Sequence, residues 1–395
     1  MKIQSTYLMK RCHIIAGAVL AGALWSCNGS KNGSDTIHTM EIERYFDEPA
    51  FDNITHKIKI KEKFTPEFTD STMYNAPRLC AVADGKAYMV EFSYMHPESY
   101  LSTFSWPDGK LLETFTRYGA GPEEYQYSYE TYFTPADGLW TVHDSNIGRY
   151  NIMQYDNAGR LVRKTVNDTI YVMAPTPSGG WIAFNPSYSM EGEYHKIAEK
   201  IIREYDSDWK LLAETQLHDK RMMMRGGGFM DIIMNCMGNN YVNDRDTIWR
   251  YDCDAHRLSP AIAMHIGKYG YDWSTVNTRE ERDRVEETHL TPLYPVFNSR
   301  YAFLSYYKPG EEINRYDIYD LRDGSLVYRM ERPKNEDVMQ RMGLPLEIDG
   351  MTVTGWPMAY QDSEDFYVMI PAENIAEATG DDEVNPIILK ISIDD

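Results

Sequence analysis

Side chains able to bind a metal or exchange protons stand at the ends of several predicted strands. His143 ends one apolar run and is followed by Asp144 and Asn146, while Asn243 and Asp244 follow another run. Oxygen donors of this kind suit calcium, and a histidine beside an aspartate can titrate near neutral pH. The same residue types also form ordinary turns, because Asn and Asp bond their own backbone. Both interpretations stay open, and calcium is the one cofactor that the residues suggest.

A second group of candidates lies in the loop Phe115–Tyr125, between two predicted strands. It reads Phe-Thr-Arg-Tyr-Gly-Ala-Gly-Pro-Glu-Glu-Tyr, with glycines that allow positive φ and a proline that fixes the next bend. One interpretation is a conformational crossover. The other is a ligand site formed by Arg117, Glu123, Glu124 and Tyr125. The spacing is not that of a dinucleotide-binding loop, which a helix would have to follow.

The sequence contains none of the common catalytic signatures. It has no Gly-x-Ser-x-Gly, His-Glu-x-x-His or Gly-Lys-Ser/Thr motif and no EF-hand spacing. It also has no Cys-x-x-Cys pair, which argues against a zinc ribbon or a thioredoxin-type site. Catalytic residues therefore stay unassigned. Cys80, Cys236 and Cys253 allow one disulfide at most, and a Cys236–Cys253 bridge stays open.

A repeated fragment organises the strands that carry these residues. Each copy has an aromatic residue at the end of a strand, a turn containing Asp, and a Leu that opens the next strand. The five clearest copies begin at Phe104, Tyr155, Tyr205, Tyr251 and Tyr319, in steps of 51, 50, 46 and 68 residues. A four-stranded unit repeating at about 50 residues is typical of a propeller blade.

The repeat count is six, and the sixth unit has no further strand after Ile393. The alternation of apolar and polar residues over Ile54–Lys61 predicts a half-buried strand that completes this sheet and closes the ring. The predicted fold is therefore all-β: a six-bladed β-propeller with a short helical insertion, preceded by a lipoprotein signal peptide. Deleting residues 50–64 is expected to unfold the ring.

Two segments interrupt the all-β pattern. Residues 273–289 are rich in helix formers, with Thr278 as a cap and Glu281 three residues later, and a second helical turn is predicted over residues 371–378. Both are interpreted as insertions on one face of the ring. Repeat proteins often place their binding elements in such insertions.

The N-terminus has the pattern of an export signal. A basic start is followed by an apolar run over residues 14–24, which is too short to span a bilayer as a helix. Leu24-Trp-Ser-Cys27 resembles a bacterial lipobox, which implies cleavage before Cys27 and its lipidation. The predicted domains are a signal peptide (1–26), the lipidated Cys27 with a flexible tether (27–50) and the propeller (51–395). Met1 and Met9 both remain possible starts.

The segment Gly119-Ala-Gly-Pro-Glu-Glu-Tyr125 resembles the Gly-x-Gly-Pro-x-Glu-Tyr stretch of a six-bladed β-propeller lipoprotein family of Bacteroidetes, which is similar to the NHL and TolB-type propellers. The resemblance covers residues 27–395. It implies an outer-membrane lipoprotein, on the periplasmic face or at the cell surface, with a lipid anchor in the membrane. It implies no particular reaction.

Charge and composition narrow the function classes. The formal net charge of −20 disfavours nucleic acid and anionic membrane surfaces. The leading hypothesis is a binding or scaffolding propeller for a protein or small-molecule partner, to which residues 273–289 contribute. The alternative is a metal-dependent hydrolase or lactonase that uses the central tunnel. An enzyme needs convergent carboxylates and amides at one tunnel mouth, whereas a binding module needs an exposed apolar or aromatic patch on one face.

Overall fold

The structure is a computed structural model that describes most of the chain from residue 37 to residue 394. Within that span it leaves out these short segments: 75–76, 92–99, 127, 147–148, 167–171, 185–186, 192–193, 200, 218–221, 225–232, 245, 277 and 334–342. The predicted signal peptide and Cys27 lie outside the described residues.

The chain begins with short elements and then forms six successive sheets. The first elements are β1 (His38–Met40), α1 (Ile42–Tyr45), β2 (Phe51–Asp52), a 3-10 turn (Thr55–Lys57) and β3 (Ile58–Phe64). Blade 1 comprises β4 (Pro77–Ala83), β5 (Lys86–Glu91), β6 (Leu101–Ser105) and β7 (Leu111–Phe115). Blade 2 comprises β8 (Ser128–Thr134), β9 (Leu139–Asn146), β10 (Arg149–Tyr155) and β11 (Leu161–Val166).

Blade 3 comprises β12 (Val172–Pro175), β13 (Trp181–Phe184) and, after an inserted hairpin of β14 (Ser187–Glu191) and β15 (Tyr194–Glu199), β16 (Ile201–Tyr205) and β17 (Leu211–Gln216). The next strand, β18 (Met222–Met224), pairs with β15 in a separate small sheet. Blade 4 comprises β19 (Ile233–Cys236), β20 (Asn239–Asp244), β21 (Thr247–Asp252) and β22 (Arg257–Met264).

A helical segment follows, with 3-10 turns at Gly267–Tyr269 and Trp273–Thr275 and with α2 (Arg279–Glu286). Blade 5 comprises β23 (Val296–Phe297), β24 (Tyr301–Tyr307), β25 (Ile313–Asp320) and β26 (Ser325–Pro333). Strand β27 (Leu344–Ile348) then forms a hairpin with β28 (Met351–Pro357), and blade 6 comprises β28, β29 (Phe366–Ile370) and, after α3 (Ala372–Thr379), β30 (Ile387–Ile393).

The strand order confirms the predicted six-bladed β-propeller. Within each blade, successive strands pair antiparallel, from an inner strand outwards. The inner strands β4, β8, β12 and β19 contact one another in sequence, so they line the centre of the ring. Among the helices that the structure describes, none has the length and apolar character needed to cross a membrane.

Ring closure occurs where the sequence pattern places it. Strand β3 pairs antiparallel with β30, with Ile58 opposite Ile393 and Phe64 opposite Ile388. It therefore supplies the outer strand of blade 6, as predicted. The strand starts later than the alternation suggests, because residues 55–57 form a 3-10 turn that Asp52 caps through hydrogen bonds to the N–H groups of Ile54 and Thr55.

The repeated aromatic–Asp fragment is the turn between the third and fourth strands of a blade. In each of the five copies, one turn residue has a positive φ: Gly109, Gly159, Trp209, His256 and Gly324. Glycine adopts this conformation at low cost. Trp209 also adopts it, and its ring stacks on Trp181 with centroids 5.1 Å apart.

These turns join each blade to the preceding one. The Glu67 N–H donates to the Gly109 carbonyl at 2.8 Å, and the Arg117 Nε–H donates to the Gly159 carbonyl at 2.5 Å. A Cβ at Gly109 would lie 1.8 Å from the Thr65 carbonyl oxygen, so the close approach requires glycine there. The repeat therefore encodes the contacts between blades as well as the turns within them.

Residues 37–50 belong to the folded ring, so the predicted tether boundary at residue 51 is wrong. Strand β1 pairs parallel with β22 on the rim of blade 4, and β2 pairs with β26 on the rim of blade 5. Met40 and Ile42 are fully buried, and Phe46 is nearly so. These three apolar side chains interrupt the polar composition on which the tether interpretation rested. We call residues 37–64 the N-terminal strap, because they cross blades 4, 5 and 6 in turn.

A buried ion pair holds the strap against blade 5. Arg329 on β26 and Asp317 on β25 have fully buried side chains, and Arg329 donates to both carboxylate oxygens, at 2.8 and 2.6 Å. Arg329 Nη1 also donates to the carbonyls of Tyr45, Phe46 and Glu48, at 2.7, 3.3 and 2.9 Å. These carbonyls follow α1, where a helix end leaves acceptors unsatisfied.

Two tyrosine hydroxyls complete the shell around Asp317. Tyr306 donates at 2.7 Å and Tyr319 at 3.3 Å. Burial, reinforced by the adjacent carboxylate, raises the pKa of both tyrosines above their usual value. Arg315 lies two residues before Asp317 on β25 and donates to the Phe46 carbonyl at 2.6 Å. Its guanidinium carbon lies 4.9 Å from the centroid of the Phe46 ring.

The two predicted helical segments are present in shorter form. Residues 273–289 form a 3-10 turn and the eight-residue helix α2, with the predicted capping box between Thr278 and Glu281. Helix α3 covers residues 372–379. The three described cysteines are free thiols, so no Cys236–Cys253 bridge forms; the Cys236 Sγ instead donates to the Phe297 carbonyl at 2.9 Å.

Replacing Arg329 with alanine is expected to destabilise the protein by about 3–5 kcal/mol, because Asp317 would stay buried without its partner. Arg160→Ala is the matched control, since that arginine is 79% exposed in its pair with Asp156 and such pairs contribute at most about 1 kcal/mol. Urea titration of both variants measures the difference. Equal midpoints would show that the strap does not depend on this pair.

Thiol labelling tests the burial of the cysteines. Burial raises the pKa of Cys80 and of Cys236 to about 12, against about 8.5 for an unfolded thiol. Each raised pKa adds stability that is complete below the unfolded value and is lost as the pH rises toward about 12. At pH 9, in a chain carrying C12S, C27S and C253S, the two remaining thiols should resist a disulfide reagent until urea is added. Rapid labelling of the native chain would contradict this.

Candidate functional site

The connections of the ring divide between two ends of the inner strands. The turns between strands 1 and 2 leave from one end, which we call the turn face. The connections from strand 2 to strand 3, and from strand 4 to the next blade, leave from the opposite end because the strands alternate in direction. We call this opposite end the insertion face, because the elements added to the basic blades lie in its connections. These elements are β14, β15, β18, residues 265–295, the β27–β28 hairpin and α3.

Exposed apolar side chains follow the same division. The insertion-face connections and strand ends carry these large exposed side chains: Phe68, Met73, Tyr118, Tyr271 and Tyr307. Within the part of the chain that the structure describes, the turn-face connections carry none. The other exposed apolar residues lie on the outer rim, as Leu112, Val162, Val166, Leu211 and Leu212 do, or in the strap. These side chains share one face of the ring, which is the distribution that the binding-module hypothesis requires.

Blades 4 and 6 contact each other at the turn face. Gln361 follows the inner strand of blade 6 and is 1% exposed. Its carbonyl accepts a hydrogen bond from the Met237 N–H at 2.8 Å, and it forms a bridge with Cys236 at the end of blade 4. Blades 4 and 6 therefore meet across the short inner strand of blade 5.

The loop 115–125 is the sequence motif that most resembles a known family, and it closes on itself. Tyr118 and Tyr125 form a parallel bridge, with the Gly119 N–H donating to the Tyr125 carbonyl at 3.0 Å. The Glu124 carboxylate accepts from the Gly121 N–H at 2.7 Å. These hydrogen bonds within the chain account for the conformation of the loop.

The two glycines make room for that carboxylate. A Cβ at Gly119 would lie 2.0 Å from Glu124 Oε2, and one at Gly121 would lie 3.0 Å from it. Neither glycine has a positive φ, so the conformational reason expected from the sequence is wrong. Space, rather than backbone freedom, requires glycine at both positions.

The structure brings four of the six predicted ligand residues together around Tyr155. Its hydroxyl donates to the Glu123 carbonyl at 2.9 Å, and its ring lies 6.2 Å from that of Tyr125. Burial, Tyr125, Asp144 and Glu123 raise the pKa of Tyr155 above its usual value, while Arg117 opposes the shift. Tyr125 itself is fully buried. A ligand role for these side chains stays a prediction; the contacts found here join blades 1 and 2.

Asp144 joins this group through the backbone. The Gln126 N–H donates to Asp144 Oδ1 at 3.2 Å, and the Asn151 amide donates to Oδ2 at 3.4 Å. Asp144 is 3% exposed. It therefore fastens the end of the loop to the second strand of blade 2.

His143 points to the other side of blade 2. It is fully buried and lies opposite Glu130 on β8 and Ile152 on β10. Glu130 Oε2 accepts from the Met173 N–H at 3.0 Å, so this face of the sheet packs on blade 3. His143 thus lies in the seam between blades 2 and 3, away from the loop 115–125.

A polar cluster lies where blades 1, 2 and 3 meet at the inner strands. Tyr132 donates to Glu130 at 3.2 Å, and the Arg78 guanidinium carbon lies 4.7 Å from the centroid of the Tyr132 ring. Burial and the Glu130 charge raise the pKa of Tyr132 above its usual value. Tyr132 thus lies between the guanidinium of Arg78 and the carboxylate of Glu130.

The metal-site candidates are separated by the fold. Asn243 donates to the Leu293 carbonyl at 2.6 Å and so anchors the inserted segment on blade 4. Among the residues that the structure describes, no group of three or more His, Cys, Asp or Glu side chains is arranged to hold a metal ion. The calcium site remains a prediction.

An aromatic cluster in the inserted segment was missed by the sequence analysis. Tyr271 contacts Trp273 and His289, with ring centroids 5.9 and 4.9 Å apart. The Trp273 Nε1–H donates to the Leu290 carbonyl at 2.9 Å, and the Leu290 N–H donates to the Tyr269 carbonyl at 2.8 Å. The run Tyr-Gly-Tyr-Asp-Trp before the helix was the available signal.

The comparisons with known proteins identify a fold class rather than a family. No family model matches the chain, and no curated protein matches it. A protein from Bacteroides fragilis NCTC 9343 that is named as an exported protein is similar in structure, with a TM-score of 0.63 and 12% identity, over 91% of this chain and 100% of the other. At this identity the likeness shows the fold alone.

Two further solved structures are more distant. A member of the DUF4221 family from Bacteroides vulgatus ATCC 8482 has a TM-score of 0.46 and 10% identity, over 86% of this chain and 99% of its own. TolB from Acinetobacter baumannii has a TM-score of 0.34 and 12% identity, over 78% of this chain and 63% of its own. Likeness at these TM-scores supports no functional argument. The chain is a six-bladed β-propeller, and the lipoprotein-family resemblance stays a prediction.

A double-mutant cycle tests the role of the glycines in the loop. Glu124→Ala removes the acceptor of the Gly121 N–H and is expected to cost about 1 kcal/mol. Gly119→Ala should cost a similar amount, because its Cβ displaces the same carboxylate. In the Glu124→Ala background, Gly119→Ala should cost close to nothing. Urea midpoints of the four chains measure the coupling, and additive losses would show that Glu124 is not the reason for glycine.

Proposed function

We propose that this chain is an exported binding propeller, anchored in the cell envelope, that holds a protein or small-molecule partner at its insertion face. The observation that carries the proposal is the one-sided distribution of exposed apolar side chains. Phe68, Met73, Tyr118 and Tyr271 all lie on insertion-face connections, whereas the described turn-face connections have no counterpart. Apolar surface confined to one face fits recognition of a partner better than solubility.

The location in the envelope is supported by the N-terminal sequence. The apolar run before Cys27 has the pattern of an export signal, and Leu24-Trp-Ser-Cys27 resembles a lipobox. The structurally similar Bacteroides fragilis protein is named as an exported protein. We propose an outer-membrane lipoprotein, on the periplasmic face or at the cell surface.

Partner capture by matched surface variants tests the binding role. The face variant carries Phe68→Ser, Met73→Ser and Tyr118→Ser; the rim variant carries Val162→Ser, Val166→Ser and Leu212→Ser, at positions that are also exposed. Each chain is cross-linked in envelope extract of its own host. A specific partner should be recovered with the parent and the rim variant and lost with the face variant. Equal recovery from all three would refute the proposal.

Membrane fractionation tests the anchor separately. The parent chain should stay with the membrane after a high-salt wash and should incorporate labelled fatty acid. Cys27→Ser should abolish both, whereas Cys12→Ser is expected to change neither because residue 12 precedes the predicted cleavage site. Fatty-acid incorporation by the Cys27→Ser chain would contradict the predicted lipidation.

A further inference from the structure

We propose that the aromatic cluster of Tyr271, Trp273 and His289 binds an extended segment of a partner that is rich in arginine or lysine. The inference rests on the proposed binding role of the insertion face and adds the chemistry of the partner. It is carried by three observations: fixed, partly exposed rings, acidic side chains in the same segment, and the acidic character of the whole chain.

The rings are held in position before any partner arrives. Trp273 is fixed through its Nε1–H bond to Leu290, whose own N–H is bonded to Tyr269. The Tyr269 ring stacks on Phe46 with centroids 3.6 Å apart. Phe46 belongs to the strap and lies under Arg315. The cluster is thus connected through Tyr269 and Phe46 to the strap, and side chains fixed in this way lose little entropy on binding.

The cluster presents ring surface to solvent. Tyr271 is 40% exposed, and Trp273 and His289 are partly exposed. Aromatic residues that are rigid and only partly buried are the usual anchors of protein interfaces. Helix α2 lies between Trp273 and His289 in the sequence. Its Arg282 is turned inward and pairs with Asp283 and Glu286, each at 3.0 Å.

The charges around the cluster select a cation. Residues 267–289 contain six carboxylates and four cations. In the sequence, Asp272 lies between Tyr271 and Trp273, and Glu287 lies two residues before His289. Both acidic residues are exposed. The loop of blade 5 lies close by, since a Cβ on Gly310 would lie 2.7 Å from the Glu287 carbonyl oxygen, and its Glu311 is paired with Lys308 at 2.6 Å. With a net charge of −20, the chain repels acidic partners and attracts basic ones.

Ring faces next to carboxylates suit guanidinium and ammonium groups. A cation over a tyrosine or tryptophan ring gains about 0.5–1 kcal/mol at an exposed site. This chain makes such contacts internally, for example Arg300 over Tyr301 at 4.7 Å and Arg44 over Tyr45 at 5.1 Å. A partner's arginine on Tyr271 would repeat the same geometry between two chains.

Fluorescence anisotropy of labelled nonapeptides with the full chain in detergent tests the proposal. Three peptides alternate glycine with arginine, glutamate or serine. Only the arginine peptide should bind, and its affinity should fall as salt is raised. Tyr271→Ser should weaken binding about fivefold, the size of one exposed cation–π contact. Leu212→Ser on the outer rim is the control, because Leu212 is also exposed, at 50%, and lies outside the insertion face.

A second variant separates the carboxylates from the rings. Glu287→Gln should weaken binding of the arginine peptide and reduce its salt dependence, with thermal unfolding unchanged because the side chain is exposed. If Tyr271→Ser and Leu212→Ser bind the arginine peptide equally well, binding is diffuse attraction to an acidic protein and the proposed site is wrong. Tight binding of the serine or glutamate peptide would overturn the assigned chemistry as well.

The two proposals fail in different ways. If a partner is captured through the insertion face but the arginine peptide does not bind, the basic partner is wrong and the binding role stands. If the peptide binds through Tyr271 but capture in envelope extract does not depend on the insertion face, the cluster is real and the proposed function of the face is wrong.

Discussion

The structure depends on closing a ring of twisted sheets without leaving the last sheet incomplete. Strand β3 provides the closure by pairing with β30, which joins residues about 330 positions apart in the sequence. A single strand pairing of this kind is exposed to fraying, because its chain would otherwise leave the ring directly into solvent. The strap prevents this by attaching the preceding residues to blades 4 and 5, and the Arg329–Asp317 pair anchors it through three backbone carbonyls.

The same constraint explains why the repeated turn is so regular. Each blade has to present its outer turn to the chain that leaves the preceding blade, and the carbonyls of Gly109, Gly159 and His256 accept hydrogen bonds there. A residue with positive φ points its carbonyl in the required direction. The turn is therefore under two requirements, one from its own blade and one from its neighbour. The loop 115–125 and Tyr155 add a further fastening at the first of these seams.

These seams use the connections around residues 65–67 and 115–125, whereas the larger insertions follow other strand ends. Insertions there extend from strand ends without disturbing the pairing within a blade. The strap and the inserted segment nevertheless support each other, since the Glu43 carboxylate accepts from the Lys268 N–H and Phe46 stacks on Tyr269. Ring closure and the aromatic cluster are thus mechanically connected. A binding surface in the inserted segment is therefore held in place by the same contacts that hold the strap.

The sequence by itself determined the fold class, the number of blades, the closing strand and the capping box of α2, because each depends on local periodicity or on a short spacing. It could not determine that residues 37–50 are part of the ring, since three apolar side chains in a polar stretch gain their meaning only from the blades that bury them. Gly119 and Gly121 were recognised as special, but the reason is a carboxylate that tertiary contacts place against them. His143 and Asp144 are adjacent in the sequence and face opposite sides of a sheet, so only the packing of blades assigns one to each seam. Tyr271, Trp273 and His289 come together across a helix, and that juxtaposition is decided by the tertiary structure alone.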